Sequence, residues 1–102
     1  MKGHAAPNLK KIPLSMVFDA LSDPVRLEIL QFLLEKKEVS CGECKCGLSK
    51  STMSHHFKVL RDAGLIQRRE QGTVHYMSIR RAEIEQRLPG FLEILGGLSG
   101  PL

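Results

Sequence analysis

The sequence is short of the features that mark most function classes. It holds no apolar run near the roughly 18 residues of a membrane-spanning helix. Met1–Pro13 is polar and basic and lacks the apolar centre of a secretory signal. Both absences favour a cytoplasmic protein. Cysteines number three, all within Cys41–Cys46. An odd count excludes a fully paired disulfide framework and leaves free thiols or metal ligands in a reducing compartment. There is no phosphate-binding glycine loop, no acid/base pair and no Cys-x-x-Cys beside a βαβ pattern, so nothing supports an enzyme. No internal repeat is visible.

What is present fits one small domain. The chain has 102 residues, 42% of them apolar, with a formal net charge of +4. That is enough apolar material for a compact core. A core this small gains from dimerisation, and the basic balance favours a polyanionic partner.

The stretch Ser49–Gly64 organises the rest. Met53, Phe57, Leu60 and Ala63 recur at steps of three and four, the apolar stripe of a helix. Lys50, Ser51, Thr52, Ser54, His55 and Lys58 supply a polar front. Ser49 is a natural N-cap and Gly64 a natural stop. An apolar back with short donors and cations in front suits a recognition helix in the DNA major groove.

Other elements follow in order. Leu14, Val17, Phe18 and Leu21 predict a helix over Pro13–Leu21. Asp23-Pro24 then opens a second helix to about Lys36, with Leu27, Leu30, Leu33 and Leu34 as its buried stripe. Ser40 caps a short helix through Cys41–Cys46, and Gly47 ends it, giving a helix-turn-helix with Ser49–Gly64. Leu65–Glu70 and Val74–Ile79 flank Gly72 and read as a hairpin with Arg68, Arg69 and Gln71 near its tip. Ile84, Leu88, Phe91, Leu92 and Leu95 restore the helical period, with Pro89-Gly90 splitting or kinking it. The fold class is mostly α with a β-hairpin wing, a winged helix-turn-helix. Residues 1–12 read as a flexible arm, 13–95 as the domain and 96–102 as a flexible tail.

Two motifs carry a family resemblance. Ala20-Leu21-Ser22-Asp23-Pro24-Val25-Arg26-Leu27-Glu28-Ile29-Leu30 resembles the opening signature of ArsR-type bacterial repressors. Leu48–Ile66 is similar to the same family's recognition-helix motif. The resemblance spans roughly Pro13–Ile79. It implies a homodimeric winged-helix repressor, released from a two-fold operator on double-stranded DNA by a metal ion or another chemical signal. It also implies a dimer interface from the terminal helices, here Val17, Phe18, Ile84, Leu88, Phe91, Leu92 and Leu95. Two departures matter, and they mean that the family's sensing chemistry does not carry over by position to Cys41, Cys44 and Cys46. The segment joining Glu38 to the recognition helix is about two residues shorter than the family's. The family's metal sensors carry Cys-x-Cys after the glutamate matching Glu38, and those places hold Ser40 and Gly42 here.

The candidate sites each have a rival reading. Lys50, Ser51, Thr52, Ser54, His55 and Lys58 are DNA contacts or a solvated helix face. Arg68, Arg69 and Gln71 reach phosphate or minor groove from the wing, or belong to a plain hairpin. His56, beside the apolar stripe, reads as a hydrogen-bonded structural histidine. Cys41, Cys44 and Cys46 suit arsenite, Zn²⁺ with His55 or His56 as fourth ligand, or a thiol oxidant; the alternative is small residues with no special chemistry. The functional expectation is a repressor released through those thiols. Its rivals are a winged-helix regulator without cysteine sensing and a protein-interaction winged helix. The polar front of Ser49–Lys58 argues against the last, because interface centres favour aromatic and aliphatic side chains.

Overall fold

The computed structural model describes residues 11–40 and 49–97. Within them are five helices and a three-stranded antiparallel sheet. Helix α1 spans Leu14–Leu21, α2 Pro24–Glu35, α3 Lys50–Asp62, α4 Arg81–Arg87 and α5 Phe91–Gly97. Strands are β1 (Val39–Ser40), β2 (Ile66–Gln71) and β3 (Val74–Ile79), in the order β1-β3-β2. The expected arm, tail and short helix over Cys41–Cys46 lie largely outside the described residues. At the arm's boundary Ile12 is buried and joins the core, and α5 runs on through Gly97 into the expected tail.

Local chemistry explains the element ends. Asp23 caps α2 by accepting from the backbone N–H of Val25 (2.8 Å) and Arg26 (3.3 Å), while Pro24 takes the first turn, where its missing N–H costs nothing. Partial burial works to raise the Asp23 carboxyl. The two backbone bonds, with the charge of Arg26, outweigh it and hold the group below its ordinary value. At the far end of α2, Arg81 donates to the Leu34 carbonyl at 2.6 Å, and Gln31 donates to the Leu95 carbonyl at 2.9 Å. These bonds tie α4 and α5 to α2. The Pro89-Gly90 interruption yields two short helices, with Gly90 at φ +85 and its N–H held by Glu85.

The core gathers Val17 and Ala20 from α1, Ile29, Leu30 and Leu33 from α2, and Phe57 and Leu60 from α3. Ile66, Met77, Ile84 and Leu95 close it. On α2 the buried stripe is therefore Ile29, Leu30 and Leu33, not the expected Leu27 and Leu34, which are only half-buried. The helix is apolar nearly all round, so periodicity does not select the buried face. Strand β1 was not foreseen. It is two residues long, pairing Val39 with Met77 and Ser40 with Tyr76, and places Ser40 in a strand, not at a helix cap. Strand β2 begins at Ile66 and runs through Gln71, leaving only Gly72-Thr73 as the turn. Gly72 has φ +62, the positive value that a type II′ hairpin asks of its first central residue.

Asp23→Ala is expected to cost about 1 kcal/mol at pH 7, read from urea unfolding. The carboxyl sits below its unfolded value of about 3.9, so its contribution is complete above that pH and vanishes as pH falls through the lower folded value. The gap between wild type and Asp23→Ala should close across that acid window.

Candidate nucleic-acid interface

Helix α3 has two chemically distinct faces. Met53, His56, Phe57 and Leu60 are buried, and Ala63 is buried at its C-cap. Lys50, Ser51, Thr52, Ser54, His55 and Lys58 are all exposed. At 13 residues and a rise of about 1.5 Å per residue, the helix is long enough to lie along a major groove. Ser49 caps it by accepting from the Thr52 N–H at 3.2 Å. The Ser49 hydroxyl also lies 2.8 Å from that of Thr52 and 3.3 Å from that of Ser51. The first turn therefore presents linked hydroxyls and unpaired backbone donors together, a combination suited to phosphate oxygens. Lys58 is less available than its exposure implies, because it pairs with Asp62 at 2.8 Å.

The C-terminal end of α3 is a Schellman turn. Leu65 N–H donates to the Leu60 carbonyl, Gly64 N–H to that of Arg61, and Gly64 takes φ +79. Buried Arg80 then donates to the Gly64 carbonyl at 3.2 Å, and its backbone N–H to the Leu65 carbonyl at 3.0 Å. This corner locks the start of the wing onto the end of α3.

A second lock holds the front half. Arg26 of α2 donates from Nε to the Ala20 carbonyl at 2.7 Å and from Nη2 to the Asp19 carbonyl at 3.3 Å. Its Nη1 lies 3.3 Å from Nδ1 of His56. An arginine has no acceptor, so Nδ1 receives this bond and His56 carries its proton on Nε2. His56 is thus a buried, hydrogen-bonded residue, as its place beside the stripe indicated.

The wing is not a bare cationic patch. Arg69 makes a fork with Glu38 (Nε–Oε2 2.8 Å, Nη2–Oε1 2.7 Å), donates from Nη1 to Gln71 at 2.8 Å and stacks 4.7 Å from the Tyr76 ring centre. The bond from Arg69, backed by its charge against a small burial penalty, keeps the Glu38 carboxyl below its usual range. Arg68 approaches Glu70 at 3.4 Å, with its side chain only 18% exposed.

Other sequence expectations fare unevenly. Cys41, Cys44 and Cys46 lie outside the described residues. Of the expected dimer residues, Val17, Ile84 and Leu95 are closed inside this protomer's own core, and Leu88, Phe91 and Leu92 are half-buried against it. Phe18 is the exposed member, with Leu14 one turn away and Ile94 elsewhere also exposed. The period placed Val17, Ile84 and Leu95 on an apolar face but did not say whether that face meets the chain's own core. Arg26, Arg80, Glu38 and Tyr76 went unnoticed as parts of the site. Only the position of Arg26 inside the first motif hinted at its role.

Three comparisons bear on this arrangement. Residues 21–69 match the family described as helix-turn-helix domain. The chain is similar to YceK of Bacillus subtilis, an uncharacterized HTH-type transcriptional regulator, at 46% identity over 79% of this chain and 84% of the relative. It is also similar to the arsenical resistance operon repressor of Staphylococcus aureus, at 39% identity over 71% and 70%. Among solved structures it superposes on the homodimeric winged helix-turn-helix DNA-binding domain of Mb0332 from Mycobacterium bovis, described as a possible ArsR-family regulator. The TM-score is 0.68 at 25% identity, covering 93% of this chain and 89% of that one.

Replacing Arg26 by Met keeps the bulk of the stem but strips the Ala20 carbonyl and His56 Nδ1 of the donor they share, while the Asp19 carbonyl keeps its bonds from Ser22. It is expected to cost about 1–3 kcal/mol, measured by chemical unfolding, and to broaden the His56 ring resonances.

Proposed function

The chain belongs to the ArsR-type winged helix-turn-helix transcriptional regulators, and we propose that it is a homodimeric repressor released from a two-fold operator by a chemical signal. That it is a DNA-binding regulator and not an enzyme follows from the family. The observation that carries the finer reading is the exposed row Lys50, Ser51, Thr52, Ser54 and His55 on a helix whose opposite face is buried. Ser54 and His55 carry the sequence-reading role, since hydroxyl and imidazole groups pair with base edges. Lys50 and the cap at Ser49 carry phosphate contact, and Arg69 reaches phosphate or a base edge from the wing. Arg68 and Gln71 support the wing. Two protomers related by a two-fold, joined through a face that includes exposed Phe18 and Leu14, would set α3 into successive major grooves.

The release signal is assigned to Cys41, Cys44 and Cys46. Their spacing in the sequence suits a soft ion such as arsenite, or a thiol oxidant, and they sit between β1 and the cap of α3. A ligand there shifts the population away from the DNA-competent state. The similarity to an arsenical resistance repressor supports the metalloid arm.

The test is fluorescence anisotropy on the DNA upstream of the protein's own gene and on unrelated DNA, across a salt series. His55→Ala and Ser54→Ala should weaken operator binding by roughly 5–100-fold with little change on unrelated DNA. Lys50→Ala should weaken both and lower the salt slope by about one. Unchanged operator binding by His55→Ala would refute the assigned reading face. With arsenite, Zn²⁺ or peroxide added, wild type should release the operator. A Cys41→Ser/Cys44→Ser/Cys46→Ser protein that still releases it would sink the sensing assignment.

A further inference from the structure

An exposed ion pair this well formed needs a reason. Glu38 and Arg69 have side chains 33% and 49% exposed. Exposed pairs contribute little to stability, because water screens them and both long side chains lose freedom. Yet here the guanidinium is fixed on three sides. Glu38 takes Nε and Nη2, Gln71 takes Nη1, and the ring of Tyr76 backs its face. Tyr76 also pairs directly across the sheet with Arg69, and Ser40 of β1 pairs with Tyr76, so the backbone itself sets the spacing of this group. A guanidinium has more N–H groups than these bonds use. The remainder are one on each terminal nitrogen, and the side chain is 49% exposed. Two such donors suit the paired acceptors of a guanine edge or a phosphate group.

We propose that Glu38, Gln71 and Tyr76 form a socket that presets Arg69 as the wing's DNA-binding arginine, with Glu38 acting as a positioning residue that strengthens DNA binding despite its negative charge. This rests on the reading of the chain as a DNA-binding regulator. The physical basis is preorganisation. A free arginine loses considerable rotamer freedom when it docks, whereas this one is already held before DNA arrives. The bonds from Glu38 also strengthen the planar fork's directionality, which a mobile lysine would lack.

The socket makes an unusual demand of electrostatics. By charge alone, removing a carboxylate beside a polyanion should tighten binding to every DNA. The socket requires the opposite. Glu38→Gln should weaken operator binding by about tenfold, the scale of one bidentate contact. Glu38→Asp keeps the charge but shortens the reach, and should behave like Glu38→Gln. Arg69→Lys should lose as much, and adding Glu38→Gln to it should cost little more, since the two act as one unit.

Wild type and the four variants are titrated by anisotropy on operator and unrelated DNA, after circular dichroism confirms matching melts. Loss confined to the operator supports the socket with a base edge as acceptor; equal loss on both supports it with phosphate as acceptor. Tighter or unchanged binding by Glu38→Gln, or wild-type behaviour by Glu38→Asp, overturns it. A wild-type protein that binds neither DNA overturns the regulator reading itself, a result distinct from the socket's failure.

Discussion

The guanidinium of Arg26 is the interaction on which the presentation of α3 depends. It donates to the Ala20 carbonyl at the C-terminal end of α1, adds a bond to the Asp19 carbonyl that Ser22 already holds, and fills the Nδ1 acceptor of His56. Three helices meet at one side chain. The Ala20 carbonyl and the buried His56 ring are polar and partly removed from water, so neither is cheap to leave unpaired. The apolar core supplies adhesion between these helices, but adhesion is not directional. Arg26 adds a directional bond from α2 to α3, on the face that the apolar stripe of α3 already turns inward.

Much of the fold was legible because its signals are local. Asp23-Pro24, Ser49 and Gly64 mark helix ends by their own backbone chemistry, and each acts where expected. The stripe on α3 was legible because its opposite face is strongly polar. On α2 the same reasoning picked Leu27 and Leu34 in place of Ile29, since a helix with apolar residues on most sides has no pattern to read. Strand β1 escaped for a different reason. Two residues cannot show alternation, and their pairing with Met77 and Tyr76 is a long-range event.

The candidate site divides along the same line. Exposure of the α3 front follows from period alone. The state of the wing does not. Arg68, Arg69 and Gln71 read as free cations and a donor near a hairpin tip, yet the cations are matched by Glu70 and by Glu38, which is 31 positions away from Arg69. The wing is therefore close to electrically balanced among the described residues. In the proposed complex its contribution comes from geometry more than from net charge.

The corner at Gly64 has a mechanical consequence. The Schellman bonds, the positive φ of Gly64 and the grip of Arg80 on both adjoining carbonyls restrain that joint. Helix and wing are then two prongs of one plug, held at one spacing. In the proposed complex, mismatch between that spacing and the grooves falls on the double helix. Sequences that bend or narrow easily between the two contact points would then be favoured at base pairs that no side chain touches.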